Sequence, residues 1–349
     1  MLLQFELVAD FVGADDSVVH GLEDLRSGSP RGVTTLPPMH HPSEPSPAST
    51  IDATGSGAAS GGQADALGEP AGGDVSPSSP VRTVDVYTHG HQPAAVAQHA
   101  RRTAEDCAAF ARDVIRPESQ ILDVGCGPAS ITVGLARWAS DGHVTGIEPG
   151  GDILAAAADT VAGASVANVT IAEASVYELP YGDNAFDVAY AHQVCQHLSD
   201  PVTAIREMAR VVRPGGWVAV RDSDYSTMQS YPSSEQITRW REVYRTVCRH
   251  NGAEPDAGRH LYAWFREAGL PQVQMSGVVQ QFWTDETRQN WGCSWAERCL
   301  HTAFARQAVE YGCATRDELE WIAAGWRAWA DNPDAYFHYV HGQALAQVV

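Results

Sequence analysis

The sequence predicts an α/β fold, a doubly wound and mostly parallel sheet with helices on its faces, and three observations carry that prediction. First, the stretch QILDVGCGPA at 120–129 reads as a buried parallel strand running into a tight turn. Ile121, Leu122 and Val124 are apolar, while Gly125 and Gly127 remove the Cβ where the chain must reverse and where a ligand can approach the backbone. Second, strand-like and helix-like runs alternate from residue 120 to 221, the pattern of right-handed crossovers between parallel strands. Third, Gly342 to Val349 alternates and ends apolar, as a last sheet strand would after a helical block.

Taken in order, residues 1–82 are expected to form a disordered leader, or to reflect a mis-assigned start. Arg26 to Val81 is dominated by Ser, Pro, Gly and Ala, which bury too little apolar surface to offset the entropy of ordering. Residues 83–222 then read as a ligand-binding core, and 223–349 as a C-terminal part with a helical cover and the last strands. Within the core, Val96, Ala97, Ala100, Ala104, Cys107, Ala108 and Ala111 share one face of a helix over Pro93–Ile115, which Pro117 stops. The strand at 120 follows, then a helix over Ser130–Ala139, a strand over His143–Ile147 and a helix over Asp152–Ala162. Val169–Ala172 and Phe186–Ala191 are the third and fourth strands. Asp200 caps a helix with Pro201 at its first position, and Pro214-Gly215-Gly216 turns into a fifth strand over Trp217–Arg221. Beyond Asp222, Ser234–His250 and His260–Ala268 read as helices and Val273–Phe282 as a strand. Trp283, Trp291, Trp295, Trp321, Trp326 and Trp329 then fall in segments of helical periodicity.

Composition excludes several functions. The chain of 349 residues carries a formal net charge of −20, so it offers no basic surface to a phosphate backbone and nucleic acid is not expected as a partner. All 23 basic residues are arginine, which rules out a Schiff-base lysine and a P-loop lysine. The seven cysteines form no C-x-x-C pair, as expected of a reduced, cytoplasmic protein without a zinc module. No stretch of about 18 apolar residues occurs, so no membrane partner is expected. Oligomeric state is not written in the sequence.

The strand, the glycine turn and a helix starting at Ser130 make a site for a nucleotide-like ligand, because unpaired N–H groups at a helix start point toward the turn. Glu148 follows Gly127 by 21 residues, at the end of the second strand, where a carboxylate accepts ribose hydroxyls. A nicotinamide dinucleotide fits this position equally well. Against it, Ser130 stands where a dinucleotide fingerprint has a third glycine.

Four strings in order, ILDVGCGPAS, GIEPG, EASVYELPYGDNAFDVAYAHQVCQHLSDP and EMARVVRPGGWVAV, resemble the motif set of class I S-adenosylmethionine-dependent methyltransferases, in particular the ubiquinone/menaquinone methyltransferase-like branch. Ala129 and Ser175 depart from that pattern, which often has glycine and aspartate there. The resemblance implies a seven-stranded sheet whose last strand is antiparallel beside the fifth. It implies S-adenosylmethionine as cofactor, with Asp123, Gly125 and Gly127 around its methionine part and ribose and Glu148 on the ribose hydroxyls. Ser175 and Val176 would lie at the adenine, and His192 and Gln193 beside the sulfonium. His192 and His197 are the possible general bases, since imidazole titrates near physiological pH; His197 could equally be satisfied by groups near the Asp200 cap. Tyr87 and His91, in the segment YTHGH, would fold over the cofactor, and Asp222 and Tyr225 would face a small-molecule acceptor. Trp283 and Trp291 would line its pocket, with core packing the alternative reading of the tryptophans. No metal is expected, because histidines spaced by two lack a third ligand nearby. The function expected is methyl transfer to a small molecule. An NAD(P)-dependent oxidoreductase and a non-catalytic, cofactor-binding regulator are the alternatives.

Overall fold

A computed structural model describes residues 85–88, 96 and 98–349. The expected leader at 1–82 and the acceptor-side residue His91 lie outside the described residues. So do residues 93–95 and 97 of the helix expected over 93–115. Its described part breaks at Thr103, whose hydroxyl accepts from Asp106 N at 3.1 Å and caps a new short helix, α1 (Ala104–Cys107), followed by a 3-10 turn over Ala109–Val114. A side chain that satisfies the free N–H of a new first turn makes such a break inexpensive.

The central strands follow the apolar runs. β1 (Gln120–Val124), β2 (His143–Glu148), β3 (Val169–Glu173) and β4 (Phe186–His192) are parallel, with Ile121, Leu122, Val188 and Ala189 fully buried. Between them run α2 (Ser130–Trp138) and α3 (Asp152–Gly163), and α4 (Pro201–Val211) follows β4, capped by Asp200 accepting from Thr203 N at 2.9 Å.

β5 covers Val212–Tyr231, much longer than the expected Trp217–Arg221. Its extension is held by β7 (Tyr336–Gln347), which pairs with it antiparallel from Trp217↔Gln347 to Tyr231↔Tyr336, with an irregularity between Asp224 and Gln229. The boundary expected at Asp222 therefore falls inside a strand. β7 also starts six residues before the expected Gly342, and β6 (Val273–Phe282) pairs with its other edge. The sheet has seven strands in the order β3-β2-β1-β4-β5-β7-β6, with β7 antiparallel to both neighbours. Strand order reverses direction between β1 and β4, which places a crevice at their carboxyl ends.

Five helices complete the C-terminal part: α5 (Glu235–His250), α6 (Leu261–Glu267), α7 (Asp285–His301), α8 (Ala303–Glu310) and α9 (Arg316–Asp331). α5, α7, α8 and α9 share a core in which Trp240 meets Trp295 and Trp326 edge-on, at ring separations of 4.3 and 4.9 Å. A Cβ on Gly292 would lie 2.8 Å from both Ala330 Cβ and Trp326 O, so glycine there lets α7 and α9 approach. Trp291, Trp295, Trp326 and Trp329 are core, whereas Trp283 and Trp321 are exposed. Among the described residues no helix is long and apolar enough to cross a membrane.

Candidate active site

One cavity of about 750 Å³ opens at the carboxyl ends of β1 and β4. Its floor is the turn after β1, where Gly125 (φ 66°), Gly127 (φ 56°) and Ala129 (φ 62°) all take left-handed backbone. Gly125 N and Cys126 N donate to Ile147 O at 2.9 and 3.1 Å, so the turn is tied to β2. A Cβ at Gly125 would stand 2.4 Å from Val194 Cγ2, whereas one at Gly127 would meet nothing within 4 Å. Gly125 thus allows the loop after β4 to pack close, and Gly127 leaves room for a ligand.

Two acids line this floor. Glu148 accepts from Gly127 N at 2.6 Å, and burial pushes its carboxyl up to about 7 against the lowering effect of that N–H. Asp123 accepts from Thr132 Oγ1 at 2.7 Å and is likewise pushed up to about 7 by burial. Ser175 and Val176, after β3, also line the cavity, and Ser175 Oγ accepts from Tyr177 N at 3.3 Å.

The segment before α1 closes over these loops. Asp85 accepts from Tyr177 OH at 2.7 Å and from Ser199 N at 2.9 Å, bridging the loops that follow β3 and β4. Tyr87 meets His197 edge-on at 4.8 Å, and burial pushes its phenol up to about 12.

The wall after β4 holds both histidines. His192 is buried, and its Nδ1 has no hydrogen-bond partner among the described residues. Burial, helped by Arg102, His341 and Arg221, holds its pKa well below the ordinary imidazole value. Burial, with Arg102 and Arg298, brings His197 down to about 3, and its Nε2 lies 3.0 Å from Gln196 Nε2. Both rings are therefore neutral at physiological pH. Gln193, at φ 56°, accepts from Arg102, and its Nε2 lies 2.8 Å from His341 Nε2. His341 Nδ1 in turn faces Arg221 Nη2 at 3.2 Å.

The structure thus brings together around one cavity Asp123, Gly125, Gly127, Glu148, Ser175, Val176, His192, Gln193, His197, Tyr87, Tyr225 and Trp291. Two expected acceptor-side residues lie elsewhere. Asp222 sits in β5 beneath the loop after β4, fully buried, with Oδ1 accepting from Gln196 N at 3.3 Å and its carboxyl pushed up to about 8 by burial. It pairs with Gly342 of β7 and is not among the residues that line the cavity. Trp283 is 62 % exposed just before α7, where its carbonyl accepts from Arg288. Sequence reasoning missed Arg102, Arg298 and Tyr339, which also line the cavity. A signal for Arg298 was available: Trp291, Trp295 and Arg298 are spaced by four and three residues and share one face of α7.

A methyltransferase-domain family matches residues 122–220, which span β1 to the middle of β5. The chain is 30 % identical over 268 residues to an uncharacterised methyltransferase of Schizosaccharomyces pombe, covering 74 % of this chain and 95 % of that protein. It is 31 % identical to a protein of Aspergillus luteorubrus named as a probable methyltransferase, over 74 % of this chain and 96 % of the other. A demethylmenaquinone methyltransferase of Listeria welshimeri is 27 % identical over 57 % of this chain and 79 % of its own length. With its glycine turn, the acid at the end of β2 that this turn binds, and two relatives matched over nearly their whole length, the chain belongs to the class I S-adenosylmethionine-dependent methyltransferases.

Proposed function

We propose that this protein transfers the methyl group of S-adenosylmethionine to a small-molecule acceptor held in the same cavity, in the cytoplasm. The observation that carries the reading is the pairing of Glu148 with the Gly127 N–H beneath a cavity of about 750 Å³, a size suited to a nucleoside cofactor with a small partner. The residues suit the group: a Cβ on Gly127 would take up the open space above it, and the neighbouring carboxyl groups of Glu148 and Asp123 are hydrogen-bond acceptors. Seven cysteines, all free, support the cytoplasmic reading.

When bound, S-adenosylmethionine supplies a methyl group already activated on a sulfonium, so the protein need only position the partners and keep water out. In this reading Glu148 holds the ribose hydroxyls and Asp123, Gly125 and Gly127 enclose the ribose and methionine part. Ser175 and Val176 contact the adenine. Asp85 keeps the segment bearing Tyr87 over the ligand by joining two loops. His192 presents to the cavity a neutral ring, the form in which an imidazole can take a proton from the acceptor as it is methylated.

Calorimetric titration with S-adenosylhomocysteine and with NAD tests the reading, followed by a search for products one methyl heavier across an acceptor panel. Tight NAD binding with none of the sulfonium-derived ligand would overturn it in favour of an oxidoreductase. Cofactor binding with no methylated product would favour a regulatory protein.

A further inference from the structure

The cavity holds a second chemistry beside its acidic floor. Trp291 and Trp295 present one face of α7 to it, and Tyr225 from β5 and Tyr339 from β7 complete an aromatic wall. Trp291 is 5 % exposed and its indole N–H has no hydrogen-bond partner among the described residues. Next on the same helix face stands Arg298, 3 % exposed, its guanidinium 4.9 Å from the centre of the Trp295 ring and donating to Gln98 Oε1 at 2.6 Å. Arg102 adds a second guanidinium to the lining, donating to Gln193.

Arg102 and Arg298 line a cavity that also carries the carboxyl groups of Asp85, Asp123, Glu148 and Asp200, and it is Arg298 that stands on the helix face bearing the aromatic wall. Beside that guanidinium an anion is favoured over an ammonium. A guanidinium also presents its donors as a planar fork that matches a carboxylate, and the flat aromatic wall suits a flat ring. From this juxtaposition we infer that the acceptor is a planar, conjugated ring carrying an ionised acid group, which Arg298 engages while the ring lies against Trp291, Tyr225 and Tyr339. Arg298 is in this sense the specificity-determining residue of the site. The inference rests on the methyl-transfer reading above and narrows its acceptor to acids over amines.

The test uses the full-length protein saturated with S-adenosylhomocysteine and three probes of one shape: 2-naphthoate, its uncharged amide, and 2-naphthylmethylammonium. Calorimetry should find naphthoate bound about ten-fold or more tightly than the amide, and the ammonium weakest. Arg298→Met should reduce the preference for naphthoate over the amide to about three-fold or less, with S-adenosylhomocysteine affinity unchanged. If that variant does not fold, Arg298→Lys, which keeps the charge and loses the fork, should give an intermediate preference. Naphthoate binding no better than the amide, or no binding of any probe, overturns the acceptor assignment in the wild-type protein alone. A preference that survives Arg298→Met removes the role of Arg298. Wild-type protein that takes no S-adenosylhomocysteine fails at the earlier step and sinks both readings together, whereas cofactor binding without anion preference sinks only this one.

Discussion

Removing the carboxylate of Glu148 should be the most damaging single change to cofactor binding. Its Oε1 accepts from Gly127 N at 2.6 Å, a short bond to a partly buried acid. Bonds to a charged acceptor contribute about 1.5–3 kcal/mol each and neutral ones about half that, so Glu148→Gln, which can still accept from Gly127, should lose about 2 kcal/mol over two ribose hydroxyls, or roughly 30-fold in Kd. Glu148→Ala also leaves the Gly127 N–H without its acceptor and should lose about 3–4 kcal/mol, roughly several hundred-fold. The pH dependence has a definite sign. Burial raises this carboxyl to about 7, and ribose hydroxyls donate best to its ionised form, so ligand must displace a proton at low pH. Wild-type affinity for S-adenosylhomocysteine should therefore fall as pH drops below 7, by up to about ten-fold per unit, and Glu148→Gln should lose Glu148's share of that dependence. Calorimetry at pH 6 and pH 8, with thermal unfolding of each variant as the control for folding, measures both effects. Folded Glu148→Ala that binds within about three-fold of wild type would refute the assignment of this residue to the ribose.

Two further changes probe the rest of the site. Trp291→Ala should raise the acceptor KM about ten-fold with S-adenosylhomocysteine affinity unchanged, while Trp283→Ala, outside the cavity and 62 % exposed, should change neither; steady-state kinetics with equal effects from both would contradict the placement of the cavity wall. Asp222→Asn should alter how stability depends on pH. Burial lifts the Asp222 carboxyl from its ordinary 3.8 to about 8, so between those values the folded chain holds one proton more than the unfolded chain, and this group's contribution to stability is lost as pH rises. Urea unfolding should show wild type losing about 2–4 kcal/mol relative to Asp222→Asn between pH 5 and pH 8, and parallel profiles would refute the buried, protonated acid.

The difference between what the sequence discloses and what it hides has a physical origin that also divides this site in two. The floor proposed for the cofactor is legible because a strand end, two glycines and an acid one strand later are constraints written within thirty residues, and Gly125, Gly127 and Glu148 meet through local backbone. Asp222 is expected where the fifth strand ends and faces the acceptor, but β7, more than a hundred residues downstream, pairs with Asp222–Asp224 and carries the strand past them. Gln193 was found without its setting for the same reason: Arg102 and His341, which fix its amide, stand 91 and 148 residues away. For the tryptophans the local signal is helical spacing. Trp283 precedes the cap of α7 and falls off the helix face, whereas Trp291, Trp295 and Arg298 lie along it, so helical spacing by itself separates them once the cap at Thr284 is recognised. In the proposed reading the acceptor wall is assembled where Trp291 of α7 meets Phe337 and Tyr339 of β7, and its chemistry can change without disturbing the turn proposed to hold the cofactor. Substitutions on the α7 face should accordingly move acceptor choice and leave cofactor affinity in place, which is the separation that the Arg298 and Trp291 variants measure.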